Sequence, residues 1–205
     1  MPRRRPYQRT LSQDGFTLVE IAIVLVIIGL ILAGILNAQS VLRNARTKDV
    51  IKAVNDMSNA AQQFRSRYGA WPGVLTNATT VLPNLSATCV GNTTGRITSA
   101  AESACASEEL IRASMLRGDA VSPIKINGVI TLSLTGAAAG LSGVPGLPAS
   151  WNNVVRIQAI DCDIAVQIDR LVDDGSTATG NFITGTACPA QTETIAVANA
   201  VLRLN

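Results

Sequence analysis

Histidine is missing altogether from the 205 residues, which removes the commonest general base and the usual imidazole metal ligand. Most hydrolase and zinc-enzyme chemistries weaken with it. No nucleophile motif or phosphate loop is recognisable either, so a membrane-tethered enzyme finds no support, and no cofactor is expected. Charge is sparse at 15% of residues. The formal +3 comes entirely from Arg3, Arg4, Arg5 and Arg9 against Asp14; beyond residue 15, thirteen basic residues face thirteen acidic ones. A neutral chain lacks the diffuse positive field that gathers phosphates, so composition gives no support to nucleic-acid binding, although a local patch is compatible with it. Proline is absent from Phe16 to Tyr68, and cysteine is absent before Cys89.

What is present is apolar. At 47% apolar residues the chain can bury a modest core, enough for one domain and an appendage. The longest apolar run, Phe16 to Leu36, is broken only by Thr17 and Glu20. As a helix it would extend roughly 32 Å at 1.5 Å per residue, about one bilayer core. The arginines before it should stay in the cytoplasm, though Arg43, Arg46 and Lys48 behind it leave the positive-inside bias incomplete. A secretory signal peptide also pairs a basic start with an apolar stretch. Its apolar part is shorter, however, and is followed by small residues at the cut, of which Ala33, Gly34, Ala38 and Ser40 make a poor version.

The helical pattern continues past the apolar run. Val50, Val54, Met57, Ala61, Phe64 and Tyr68 stand three or four apart among polar residues, which draws one apolar stripe down a helix ending at Gly69 and Pro72. This stripe is core packing against a folded domain. Residues 69 to 95 are rich in Thr, Asn, Gly and Pro and predict a loop with Trp71, Val74 and Leu85 as anchors. A short helix is expected over 107 to 117 with Ser107 as its cap. Alternation from Ile124 to Leu134 around Asn127-Gly128 predicts a hairpin with a two-residue turn. After a Gly, Ala and Pro linker over 136 to 148, Val154 to Ile160 predicts a strand. Asp163 is expected to cap a helix burying Ile164, Ile168 and Leu171, and the tail from Ile195 to Leu204 to supply a closing strand.

Four cysteines, Cys89, Cys105, Cys162 and Cys188, lie on one side of the apolar run, which suggests disulfides and an oxidising compartment. Free buried thiols are the alternative. Zinc fits poorly, because the intervals are wide and histidine is absent.

The segment Gly15-Phe16-Thr17-Leu18-Val19-Glu20-Ile21 resembles the type III signal of type IV pilins and of their relatives, the pseudopilins of type II secretion. It has a glycine before the cut, a phenylalanine that becomes the first residue, a glutamate five residues in, and an apolar helix behind. The resemblance is strong from residue 15 to about 42. It extends more weakly to Tyr68-Gly69-Ala70-Trp71-Pro72-Gly73, similar to a turn that follows the long helix in many pilin-like proteins, and to the Asp173-Asp174-Gly175 segment.

The resemblance implies an α+β, pilin-like fold: a long N-terminal helix whose second half packs on a small antiparallel sheet. It divides the chain into a cleaved leader at 1–15, a membrane and polymerisation segment at 16–42, and a periplasmic or extracellular head at 43–205. A prepilin peptidase would cut between Gly15 and Phe16 on the cytoplasmic side and methylate the new amino terminus. Gly15 suits that step, because a residue without a side chain lets an extended peptide approach the peptidase closely. Glu20, costly in a membrane without a partner, would meet the terminal charge of a neighbouring subunit and set the register of stacking; solvation in the headgroup zone is the alternative. Gly29 and Gly34 would permit close helix contact or local melting.

Partners implied are the peptidase, an inner-membrane assembly platform and copies of the chain or related pilins in a helical filament. The precursor would be a single-pass inner-membrane protein, and its destination a pilus or a periplasmic pseudopilus. The function implied is that of a pilin or minor pilin, with a pseudopilin as the alternative and a tip adhesin or DNA-binding minor pilin behind both. Asp173 and Asp174 invite calcium, which some pseudopilins bind near this end, but two adjacent carboxylates supply too few of the 6 to 8 oxygens it takes. Of three cysteine pairings, the sequence-local Cys89–Cys105 and Cys162–Cys188 are favoured, the second enclosing a loop like the disulfide-bounded region of many pilins; swapped pairing stays open.

Overall fold

The computed structural model describes residues 15–119, 123–136, 144, 147–148, 150–188 and 195–204. It divides after Asn44 into two compact units. The first holds the opening part of helix α1 (Leu18–Tyr68), where every large apolar residue from Leu18 to Leu42 is exposed. Helical geometry runs through Gly29, Gly34 and Asn37 without melting, in keeping with the absence of proline.

The second unit is an α+β head. In it the later part of α1 buries Val50, Val54, Met57, Ala61 and Phe64, and Tyr68 is half-buried. Gly69, at φ +75°, ends the helix, its N–H returning to Arg65 O at 2.9 Å. After the short helix α2 (Ala78–Val81) comes α3 (Ala100–Arg112). Its start is seven residues earlier than the helix expected over 107 to 117, and Ser107 is fully buried within it rather than capping it. The true cap is Ser99: its hydroxyl accepts from Glu102 N while the Glu102 carboxylate accepts from Ser99 N, a reciprocal capping box. Ser99→Ala should lower stability by about 1 kcal/mol, a loss of roughly 2–4 °C in Tm, readable by thermal unfolding.

Strands β1 (Ile124–Ile126), β2 (Ile130–Gly136), β3 (Asn153–Gln158), β4 (Ile160–Asp161), helix α4 (Cys162–Val172), and strands β5 (Phe182–Thr184), β6 (Ala196–Val197) and β7 (Ala200–Arg203) complete the head. The main sheet is antiparallel in the order β1-β2-β3-β7-β5, and β4 pairs with β6 beside it. The register sets Leu134 opposite Val155, Val155 opposite Leu202, and Leu202 opposite Phe182. This row packs in one core with Val54, Met57 and Phe64 of α1. The opposite face buries Val154, Val201 and Ile183 beneath Trp151 and Val144. Because both faces are covered there, β3, β5 and β7 carry consecutive apolar residues (Val154-Val155, Phe182-Ile183, Val201-Leu202), whereas β2 keeps the alternation read from the sequence.

Several expectations need correction. The hairpin turn spans Asn127 to Val129, one residue more than predicted, because Ile126 pairs with Ile130; Asn127 and Gly128 still take positive φ. The Val154–Ile160 strand is split by Ala159 at φ +59° into β3 and β4. Helix α4 begins at Cys162 with Asp161 at its cap position, so Asp163 lies inside it, and Leu171 is 68% exposed while Asp169 is fully buried. The tail strand β7 is interior to the sheet, and the edge belongs to β5, a strand not among those expected. Most of the linker expected over 136 to 148 lies outside the described residues. Two disulfides are present, Cys89–Cys105 and Cys162–Cys188. Each closes a short loop, and the chain-entropy model assigns each about 3 kcal/mol.

Candidate processing and assembly site

Gly15, Phe16 and Thr17 precede the first helical residue. A Cβ at Gly15 would meet nothing within 4 Å, and Phe16 is 85% exposed. Among the described residues, nothing packs over Gly15 or Phe16. Thr17 is the N-cap of α1. Glu20 N donates to Thr17 Oγ1 at 3.3 Å, while the Glu20 carboxylate accepts from Thr17 N at 2.8 Å and from Thr17 Oγ1 at 2.7 Å. This is again a capping box, and the Thr-x-x-Glu spacing that signals it was legible in the sequence. It gives Glu20 a local partner set within one subunit. A lone carboxylate with two such donors is less costly to place near lipid than a bare one, and the anion also sits favourably at the positive end of the helix dipole.

Behind Glu20 the helix is long and apolar enough to cross a membrane by length and composition: its most apolar window has mean hydropathy 3.0, and none of that window is buried within the chain. Added Cβ atoms at Gly29 and Gly34 would meet nothing within 4 Å. Both are therefore open positions on an uncovered helix.

The residues Gly15, Phe16 and Glu20 thus lie together at the start of one exposed apolar helix. A scan of family descriptions matches residues 11–36 to the prokaryotic N-terminal methylation motif. The chain carries the type IV pilin signal. No curated protein and no solved structure matches it. With the long helix and the antiparallel sheet, the architecture is α+β and pilin-like. The pilin motif implies processing by a prepilin peptidase and filament assembly with other pilins, and together with the apolar helix it suggests membrane insertion. Pilins are structural rather than catalytic proteins.

The turn after α1 in this pilin-like chain has a physical basis. Gly73, at φ +82°, lies so close to α3 that a Cβ would strike Glu102 O and touch Ala106 Cβ at 3.0 Å. Gly73 N donates to Glu109 Oε2 at 2.8 Å. Glu109 is fully buried and its Oε1 has no hydrogen-bond partner. Burial, against the opposing Gly73 bond and with help from the charge of Glu108, pushes its carboxyl up to about 7. Sequence reasoning missed this residue, because a glutamate on a predicted helix gives no sign of which way it points.

At the other end of the head, Asp173 and Asp174 serve the turn. Asp173 Oδ2 accepts from Asn181 N, and Asp174 Oδ1 accepts from Ser176 N at 2.9 Å. Among the described residues, no group of three or more His, Cys, Asp or Glu side chains is placed to hold a metal. Beside them Asp169 is fully buried, with both carboxylate oxygens lacking a hydrogen bond of ordinary geometry. Its carboxyl is pushed up to about 6, first by burial and then by Asp174 and Asp173, with the Gly175 N–H opposing.

Proposed function

We propose that this chain is a pilin or minor pilin of a type IV pilus-like filament, cut before Phe16, methylated there, and assembled through its N-terminal helix. The observation that carries this reading is the coincidence of the methylation motif with an apolar helix whose apolar window is left uncovered by the described residues. Leaving so much apolar surface in water is unfavourable by about 25 cal/mol per Å², so it needs lipid first and neighbouring helices later. Both environments favour the same side chains, which is why one segment can serve as anchor and as polymer core. Glu20 then selects register, since a neighbour's terminal ammonium would give its carboxylate a charged partner beyond Thr17 that misaligned stacking would forgo. The first boundary of the head follows: the helix leaves the membrane near residue 42, and the head sits on its far side, in the periplasm and then outside the cell.

Mass spectrometry of the protein from a peptidase-competent host should find a mature chain that begins at methylated Phe16. An intact leader, or a chain trimmed after Leu36, would overturn the reading. A pseudopilin would share all of these features, so the subunit should next be quantified in sheared surface fibres. Enrichment there identifies a pilus subunit, and absence points to secretion machinery.

A further inference from the structure

We propose that the cleft between the end of α1 and the 92–96 loop is a binding site for a carboxylate-bearing saccharide. The cleft has a volume of about 850 Å³, within the size range of ligand clefts, and lies wholly in the head. Arg65 and Arg96 both line it, and no aspartate or glutamate is among the described residues that do. Neither guanidinium has an ion-pair partner among the described residues. The nearest acid in sequence, Glu102, is committed elsewhere, to Asn92 Nδ2, to the backbone and hydroxyl of Thr98, and to Ser99 N.

Arg65 is held at its guanidinium and Arg96 at its backbone. The Arg65 guanidinium lies over the Trp71 ring at 4.8 Å, a cation–π contact that fixes a side chain otherwise rich in rotamers. Arg96 rides on a pinned loop: Asn92 Nδ2 donates to Arg96 O at 2.9 Å, and the buried Asn153 bonds Gly95 O at 3.1 Å and Ile97 N at 2.9 Å. A planar, always-charged fork is suited to a carboxylate, which it can bind through two parallel hydrogen bonds.

The rest of the wall is neutral and polar. Asn77, Asn152 and Thr94 also line the cleft, and Asn77 and Asn152 are exposed. Amides donate and accept, and so match the hydroxyls of a sugar ring. Single-stranded nucleic acid would also use arginine and aromatic groups, but it needs a continuous positive track and free ring faces for stacking. Here the chain beyond residue 15 has balanced charge and the Trp71 face carries Arg65. The combination of few cations with many amides and hydroxyls favours an acidic sugar.

The test is calorimetric titration of oligogalacturonate into the full mature chain in detergent at low salt. It needs no filament, so its result is independent of the assembly reading. Saturable binding is expected, weakened about tenfold or more by Arg65→Gln or by Arg96→Gln, with unchanged thermal unfolding of Arg96→Gln. Arg96 is exposed on a loop, so its variant keeps the test sound should Arg65→Gln disturb the helix end. Neutral oligogalactose should bind more weakly. The proposal is overturned by absence of binding, by equal affinity of wild type and both variants, by equal affinity for the neutral sugar, or by tighter binding of oligothymidylate.

Discussion

Glu20→Ala should leave leader cleavage intact and reduce incorporation into sheared filaments by roughly tenfold or more, the scale of one lost charge-assisted contact. Cleavage is read from the mobility and mass of the mature subunit, incorporation from immunoblots of the fibre fraction. The structure adds a control that separates two roles of the same carboxylate. In one subunit Glu20 closes a capping box with Thr17. If capping were its whole contribution, Thr17→Val, which removes the hydroxyl half of the box, would harm assembly about as much. If Glu20 sets register by meeting a neighbour, Thr17→Val should be mild and Glu20→Ala severe. Equal incorporation of wild type and Glu20→Ala would defeat the register argument outright.

Glu109→Gln should stabilise the protein by about 3 kcal/mol at pH 8 and leave it little changed at pH 4. The sign follows from the raised carboxyl. Burial lifts Glu109 from 4.5 to about 7 in the folded state, so between those values the native chain holds a proton that the unfolded chain has released. Stability is therefore full below about pH 4.5 and is lost as pH rises through about 7, at about 1.4 kcal/mol per unit of difference. Glutamine keeps an acceptor for Gly73 N and reproduces the uncharged form, so its variant should not share the loss. Asp169, raised to about 6, adds a change of the same sign. Glu102, whose carboxyl is lowered, acts in the opposite sense, and its stabilising contribution is lost in acid. Urea unfolding of the full chain in detergent across pH 4 to 8 provides the measurement. Parallel curves for wild type and Glu109→Gln would show that the buried carboxyl is not what couples proton uptake to folding.

The two chief omissions in reading the sequence have one origin. Thr17-x-x-Glu20 and Ser99-x-x-Glu102 are the same capping pattern, and each marks a helix start that apolar periodicity alone misplaces or leaves unexplained. In α3 the pattern was obscured because the apolar positions near Leu110 carry the stronger periodic signal. A different kind of miss is α4, where spacing put Leu171 on the buried face. The structure buries Ile164 and Ile168 as expected but turns Ala165 and Asp169 inward with them and leaves Leu171 in solvent, the helix packing on β4, β5 and β6. That orientation depends on residues distant in sequence.

Properties set by one short segment were determined by the sequence itself. The N-terminal methylation motif over residues 11–36, the apolar helix, the stripe from Val50 to Phe64 and the stop at Gly69 each depend on neighbours within a few residues, where hydropathy and backbone freedom act directly. Tertiary structure alone decided that β7 lies inside the sheet, that Glu109 is sealed beneath Gly73, and that Arg65 and Arg96 share one cleft with no acid among its described lining residues. The β3–β7 pairing, the Gly73–Glu109 bond and the Arg65–Arg96 cleft join groups 30 or more positions apart, and β5 meets β7 across 16 to 20; only the packing of the common core fixes which of many such encounters occurs.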